Sequence, residues 1–207
     1  MDPDWQDRYR TGETPWDTGQ PSAELRRVLD EDGVSPCRAL DVGCGTGTNA
    51  VFLAERGFDA TGVDLCELAI DRAEARAAHA GVTCRFLTAD LLEPMDLGEP
   101  FDFIFDRGCF HSVRRIDEPA AVAMLERSLA PGGSLLVLTG NTHETREDDG
   151  PPKVSEEELR HAFADKFVIR HLREFRFDMH PKLDHRPLGW STLLAKPVPP
   201  AGRRLNR

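Results

Sequence analysis

The residues best suited to chemistry lie in one stretch, Ala39-Leu40-Asp41-Val42-Gly43-Cys44-Gly45-Thr46-Gly47-Thr48. Glycines admit positive φ and let a ligand come close to the backbone. A helix starting behind such a loop offers unpaired N–H groups to a negatively charged group. The spacing is G-x-G-x-G, on Gly43, Gly45 and Gly47. The dinucleotide fingerprint G-x-G-x-x-G would place its last glycine at Thr48, which argues against a nicotinamide oxidoreductase. A Walker loop needs a lysine, and the stretch has none. A plain glycine turn without a ligand is the bland alternative. The acids that follow weigh against it.

Asp64 closes Thr61-Gly62-Val63-Asp64-Leu65, Asp90 closes Thr88-Ala89-Asp90, and Asp106 closes Phe103-Ile104-Phe105-Asp106. Each sits where a short apolar strand ends. A carboxylate at such an end can accept both hydrogen bonds of a ribose diol. Capping the next helix is the competing role for Asp64, and the two can coexist. Four acids at one sheet edge, counting Asp41, point to a cationic, hydroxylated ligand.

Further candidates follow. Arg107 comes directly after a strand-end acid, so a ligand role outweighs a surface ion pair. Trp16 sits between Pro15 and Asp17 in a polar segment and reads as part of a lid more than as core. His111 reads as a satisfied loop histidine or a substrate contact. Cys44 and Cys109 read as small buried residues. His180, Asp184 and His185 lie in a connection without partner ligands, and no metal site is expected.

The elements that must hold these residues form an alternation. The 207 residues suit one domain, which at this size buries roughly 70% of its surface. Arg38 to Val42 is predicted as a strand, Thr48 to Arg56 as a helix, Phe58 to Val63 as a strand and Cys66 to Ala80 as a helix stopped by Gly81. Val82 to Thr88 and Phe101 to Phe105 read as strands, Pro119 to Ala130 as a helix and Ser134 to Thr139 as a fifth strand. Such βαβ units build a parallel sheet with helices on both faces and ligands at the carboxyl ends of its strands. Residues 21 to 30 read as a preceding helix. Ser155 with Glu158 predicts a capping box, with Val154 and Leu159 as its hydrophobic staple. Lys166 to Phe177 and Leu188 to Ala195 then read as an antiparallel pair.

The formal net charge is -10, which disfavours nucleic acid and anionic membranes as partners. The N-terminus is acidic and lacks an apolar signal core, and the five cysteines show no CxxC pairing. These features predict a cytoplasmic protein with reduced thiols; a monomer acting on a small molecule is a separate expectation.

Together the glycine loop and the strand-end acids resemble the class I S-adenosylmethionine-dependent methyltransferases over residues 38 to 140. The N-terminal Glu13-Thr14-Pro15-Trp16-Asp17-Thr18-Gly19 resembles that of the thiopurine, thiol and halide methyltransferases. So do Asp106-Arg107-Gly108, Gly150-Pro151-Pro152 before Lys153-Val154, and Gly189-Trp190. Tellurite-resistance-type methyltransferases are similar in pattern. Asp149-Gly150-Pro151-Pro152 lacks the aromatic of the amino-directed DNA methyltransferase motif.

The resemblance implies a single Rossmann-like domain over 1–196 with a mostly parallel seven-stranded sheet whose last strand is antiparallel. It divides into an N-terminal lid and helix (1–36), a cofactor core (37–140) and a C-terminal helix and strand pair (141–196). A flexible tail over 197–207 is expected. The implied cofactor is S-adenosylmethionine, leaving as S-adenosylhomocysteine, without a metal. Its implied contacts are Trp16, Asp41, Gly43, Cys44, Gly45, Gly47, Asp64, Leu65, Asp90, Leu91 and Asp106, with Trp16, Arg107 and His111 toward the acceptor. The implied reaction is in-line methyl transfer to a soft nucleophile: a thiol, thiopurine, halide or chalcogen species. Another small-molecule acceptor, or a binding module without turnover, are the alternatives, and cofactor turnover separates them.

Overall fold

A computed structural model describes residues 5–146, 150–179 and 185–199. Its strands are β1 (Arg38–Val42), β2 (Asp59–Asp64), β3 (Arg85–Thr88), β4 (Phe101–Arg107), β5 (Leu129–Asn141), β6 (Lys153–Val154), β7 (Val168–Arg176) and β8 (Leu188–Ala195). They form one sheet in the order β3-β2-β1-β4-β5-β8-β7, and the short β6 pairs with the end of β5. β1 to β5 run parallel, and β8 is antiparallel to both β5 and β7. This is the Rossmann-like, mostly parallel architecture expected; the described residues hold eight strands rather than seven, because the short β6 adds to the end of β5. The chain runs outward from β1 through β2 to β3, then returns to the other side of β1 for β4. The strand order therefore reverses between β1 and β4, where sheets of this kind bind their ligands.

Among the described residues six helices cover the sheet: α1 (Trp5–Thr11), α2 (Ala23–Glu31), α3 (Thr48–Glu55), α4 (Glu67–Ala80), α5 (Phe110–Ser128) and α6 (Glu156–Phe163). Period-two alternation along the strands divides the core into two layers. Phe103, Phe105, Leu136 and Leu138 meet Leu25, Val28 and Leu29 of α2 and Phe52 and Leu53 of α3. Leu40, Val42, Ile104 and Val137 meet Phe110 and Leu125 of α5 and Leu159 and Phe163 of α6. Phe103 and Phe105 are fully buried, so truncating either to alanine should cost about 3–5 kcal/mol. Both layers lock β4, the strand that delivers Asp106 and Arg107.

Local signals account for most boundaries. Ser22 caps α2, Gly81 ends α4 with φ 69°, and Ser155 and Glu158 form the reciprocal capping box on α6. Val154 and Leu159 are both buried in one cluster, as the staple requires. Two helical segments depart from the sequence reading. α1 occupies a stretch read only as polar. α5 begins at Phe110 rather than at Pro119, with non-helical backbone at Asp117 (φ −151°, ψ 93°). The Asp117 side chain accepts the Ala120 N–H at 2.9 Å, so it restarts the helix. Pro119 then stands in a first turn, where its missing N–H costs nothing. β5 extends over Leu129–Asn141, longer than the Ser134 to Thr139 expected. Of the expected tail, residues 200–207 lie outside the described residues.

Candidate active site

The glycine loop leaves β1 at the switch point. Gly43, Gly45 and Gly47 have φ of 63°, 53° and 75°, in the left-handed region where side chains are strained. Each is also crowded. A Cβ on Gly43 would lie 2.6 Å from Cys109 Cβ, and one on Gly47 would lie 2.7 Å from Ala73 Cβ. The small residues Ala69, Ala73 and Ala77 repeat every four positions on the buried face of α4, which lets that helix approach the loop. Cys44 is buried, its sulfur against Gly62, and burial pushes its thiol well above the usual range. Cys109 behaves alike, so both pack as neutral thiols.

The four acids are held differently. Asp41 is 1% exposed, and its Oδ2 has no hydrogen-bond partner. Burial first, then the nearby Asp106, raises its carboxyl well above the ordinary range, while Arg107 acts in the opposite sense. Asp64 accepts the Gly45 N–H at 2.8 Å and the Cys66 N–H at 2.9 Å, tying the loop to the start of α4. Burial raises its carboxyl despite these bonds. Asp106 is as buried as Asp41, but its oxygens accept the N–H groups of Cys109 (3.0 Å) and Phe110 (2.8 Å) at the start of α5. Its pKa is raised to about 7 by burial. Asp90 is exposed and turns onto the Leu92 N–H, while Leu91 enters the core and Leu65 stands 53% exposed.

The N-terminal segment lies across this edge. Tyr9 is 4% exposed, and its hydroxyl oxygen is 2.6 Å from where a Gly45 Cβ would stand. Trp16 donates from Nε1 to that hydroxyl at 3.3 Å and packs edge-on against Trp5 and Tyr9. Thr46 of the glycine loop donates from its hydroxyl to Asp17 at 2.9 Å, and Arg76 of α4 donates to both Thr46 oxygens. Sequence reading singled out Trp16 but missed Tyr9. The signal was present: Trp5 and Tyr9 are four apart and share one face of α1.

Arg107 stands at the ligand edge, but its guanidinium faces backbone. One terminal nitrogen donates to the Trp16 carbonyl at 3.2 Å and the other to the Asp178 carbonyl at 2.5 Å. It lies 5.5 Å from the Phe177 ring. Asp178 itself accepts the Ala23 N–H at 2.8 Å and a bond from Arg186. His111 is 6% exposed, and its Nδ1 accepts the Gly140 N–H at 3.2 Å. Burial, aided by Arg107 and Arg115, lowers its pKa to about 3. Of the connection weighed as a metal site, His185 lies 3.4 Å from Glu144, and His180 and Asp184 lie outside the described residues.

The edge therefore joins a glycine cradle to a free buried carboxylate oxygen and a second acid, under an aromatic cover. An ammonium, a sulfonium and a diol suit this donor set. Comparison with known proteins agrees. The family description "Thiopurine S-methyltransferase (TPMT)" matches residues 1–196. A 2-heptyl-1-hydroxyquinolin-4(1H)-one methyltransferase of Mycobacteroides abscessus is 36% identical over 157 residues, 75% of this chain and 69% of that protein. A probable thiol methyltransferase 2 of Arabidopsis thaliana is 31% identical over 152 residues, 72% of this chain and 65% of that protein. Among solved structures, one titled for the conversion of a disulfide bond into a thioacetal group during echinomycin biosynthesis superposes with TM-score 0.80 at 27% identity. It covers 93% of this chain and 91% of its own. TehB from Haemophilus influenzae has the same fold, with TM-score 0.68 at 21% identity over 84% of this chain and 62% of its own. The chain belongs to the thiopurine S-methyltransferase family of S-adenosylmethionine-dependent methyltransferases.

Proposed function

We propose that the acceptor is a small soft nucleophile, a thiol, thiopurine, halide or chalcogen species, that enters already ionised. The observation carrying this is how the nearby titratable groups are engaged. The two oxygens of Asp106 accept backbone N–H groups, and the acceptor nitrogen of His111 is taken by Gly140. A nucleophile that is anionic at neutral pH needs no proton removed. The protein's part is then alignment and exclusion of water, which would supply most of the catalysis.

S-adenosylmethionine supplies the methyl group when bound. Gly43, Cys44, Gly45 and Gly47 would line its methionine portion, Asp41 would face its ammonium, and Asp64 with Leu65 would face its ribose. Asp90 and Leu91 would lie toward the adenine. Asp106 would act by holding the start of α5. Trp16 and Tyr9 would close over the cofactor, and Arg107 would hold that cover down. The net charge of -10 fits a monomer in the cytoplasm working on small molecules and apart from nucleic acid. A heteroaromatic hydroxyl is the second reading, favoured by the 36% identity to the hydroxyquinolone methyltransferase.

Two measurements test the proposal. Asp64→Asn should weaken S-adenosylhomocysteine binding by roughly ten-fold to a hundred-fold in calorimetry, the scale of one charged hydrogen bond at about 1.5–3 kcal/mol. Unchanged affinity removes Asp64 from the cofactor site. Cofactor consumption with aromatic thiols, iodide, selenite, tellurite and 1-hydroxyquinolones then names the acceptor. Turnover of the hydroxyquinolone alone would replace the first reading with the second.

A further inference from the structure

The imidazole of His111 takes a place in the sheet. Gly108 donates its N–H to the Leu138 carbonyl at 3.0 Å, and two residues further along β5 the Gly140 N–H points at His111 Nδ1. The ring thus accepts the ladder bond beyond the end of β4. A neutral imidazole that accepts at Nδ1 carries its proton on Nε2. The ring edge bearing Nε2 borders Gly108: a Cβ there would lie 3.2 Å from Nε2 and 3.1 Å from Cε1. Gly108 has φ +86°, so the chain turns here without a side chain over that nitrogen. The next residue, Cys109, packs on Gly43 of the glycine loop. The donor therefore lies beside the cofactor cradle, at the end of the strand facing the switch point.

The charges around the ring keep it in this state. Arg107 and Arg115 disfavour a second proton, and the Asp106 carboxylate is turned away onto the N–H groups of Cys109 and Phe110.

We infer that His111 Nε2–H is a fixed hydrogen-bond donor to the methyl acceptor, and that the acceptor carries an accepting nitrogen or oxygen beside the atom methylated. The inference rests on the soft-nucleophile reading above. His111 grips the neighbouring heteroatom, leaves the nucleophile's lone pair free for the methyl group, and takes up no proton.

2-Methoxythiophenol and 4-methoxythiophenol make the test, because they are isomers that ionise to thiolates near neutral pH and differ in whether an accepting oxygen stands beside the sulfur. The full-length protein should favour the 2-isomer by roughly ten-fold or more in kcat/KM, the scale of one hydrogen bond to a charged partner. His111→Phe should erase the preference, and His111→Gln, which keeps an N–H at that distance, should retain part of it. Nitrogen NMR of the wild-type protein labelled at histidine reads the donor without turnover. It should show His111 protonated on Nε2 and not titrating between pH 5 and 8. A His111 protonated on Nδ1, or titrating in that range, overturns the inference alone. So does equal use of both isomers. Turnover of iodide but of neither isomer overturns the inference alone, and turnover of none of the three overturns the soft-nucleophile reading with it.

Discussion

Arg107 donates to the carbonyl of Trp16 at 3.2 Å, across 91 positions of sequence, and this bond fastens the N-terminal segment to the end of β4. The same guanidinium holds Asp178 beyond β7, so one half-buried cation clips two separate segments over the ligand edge. Arginine suits this task because its planar fork serves two carbonyls at once, which a lysine ammonium does less well.

Arg107→Lys and Arg107→Ala should therefore both loosen the cover. Amide exchange over residues 8–17 should quicken in each variant, and stability should fall by about 1–3 kcal/mol as the Trp16 and Asp178 carbonyls lose their donor. Added S-adenosylhomocysteine should restore part of the protection in the lysine variant. Unchanged exchange in both would mean that the aromatic contacts hold the segment without Arg107.

A second prediction concerns Tyr9 and Gly45. Gly45→Ala places a methyl 2.6 Å from the Tyr9 hydroxyl, on a backbone with φ 53°. Tyr9→Phe removes the clashing oxygen, and the nearest remaining ring atom, Cζ, lies at 3.7 Å, an ordinary contact. The double variant should then be less destabilised than the sum of the singles by on the order of 1 kcal/mol. The left-handed strain of roughly 1–2 kcal/mol should persist in it. Urea unfolding of the four proteins supplies the cycle. Additive effects would show that Tyr9 does not rest on the loop.

The third prediction concerns pH. Asp106 has a folded pKa of about 7 against the ordinary 3.8. Between these values the folded protein holds a proton that the unfolded chain releases. Its contribution to stability is complete below about pH 4 and is lost as pH rises through about 7. The slope in that window is about 1.4 kcal/mol per pH unit at most. Asp106→Asn removes the slope. The stability difference between pH 5 and pH 8 should shift in the variant, with the wild type losing more on going to pH 8. His111 carries the opposite slope below pH 6.5 in both proteins, so it cancels in the comparison. Identical pH dependence would show that Asp106 is ionised throughout.

The sequence by itself determined the alternation of strands and helices, the glycine loop after β1 and the acids at the strand ends. These follow from contacts within a few residues: period-two and 3.6-residue patterning, caps at Ser22 and Ser155, and the glycine stop at Gly81. The strand order and the orientation of each polar group were decided by the tertiary structure. Asp41 and Asp106 look alike in sequence, each near the end of an apolar strand. Their strands place them on opposite faces of the sheet, so Asp106 meets the start of α5 and Asp41 keeps an unpartnered oxygen. Arg107 was legible as a residue at the ligand edge. Its carbonyl partners, 91 and 71 positions away, were not. No local pattern encodes such bonds, because they exist only once the sheet has brought the ends of β4 and β7 and the segment before α2 to the same edge.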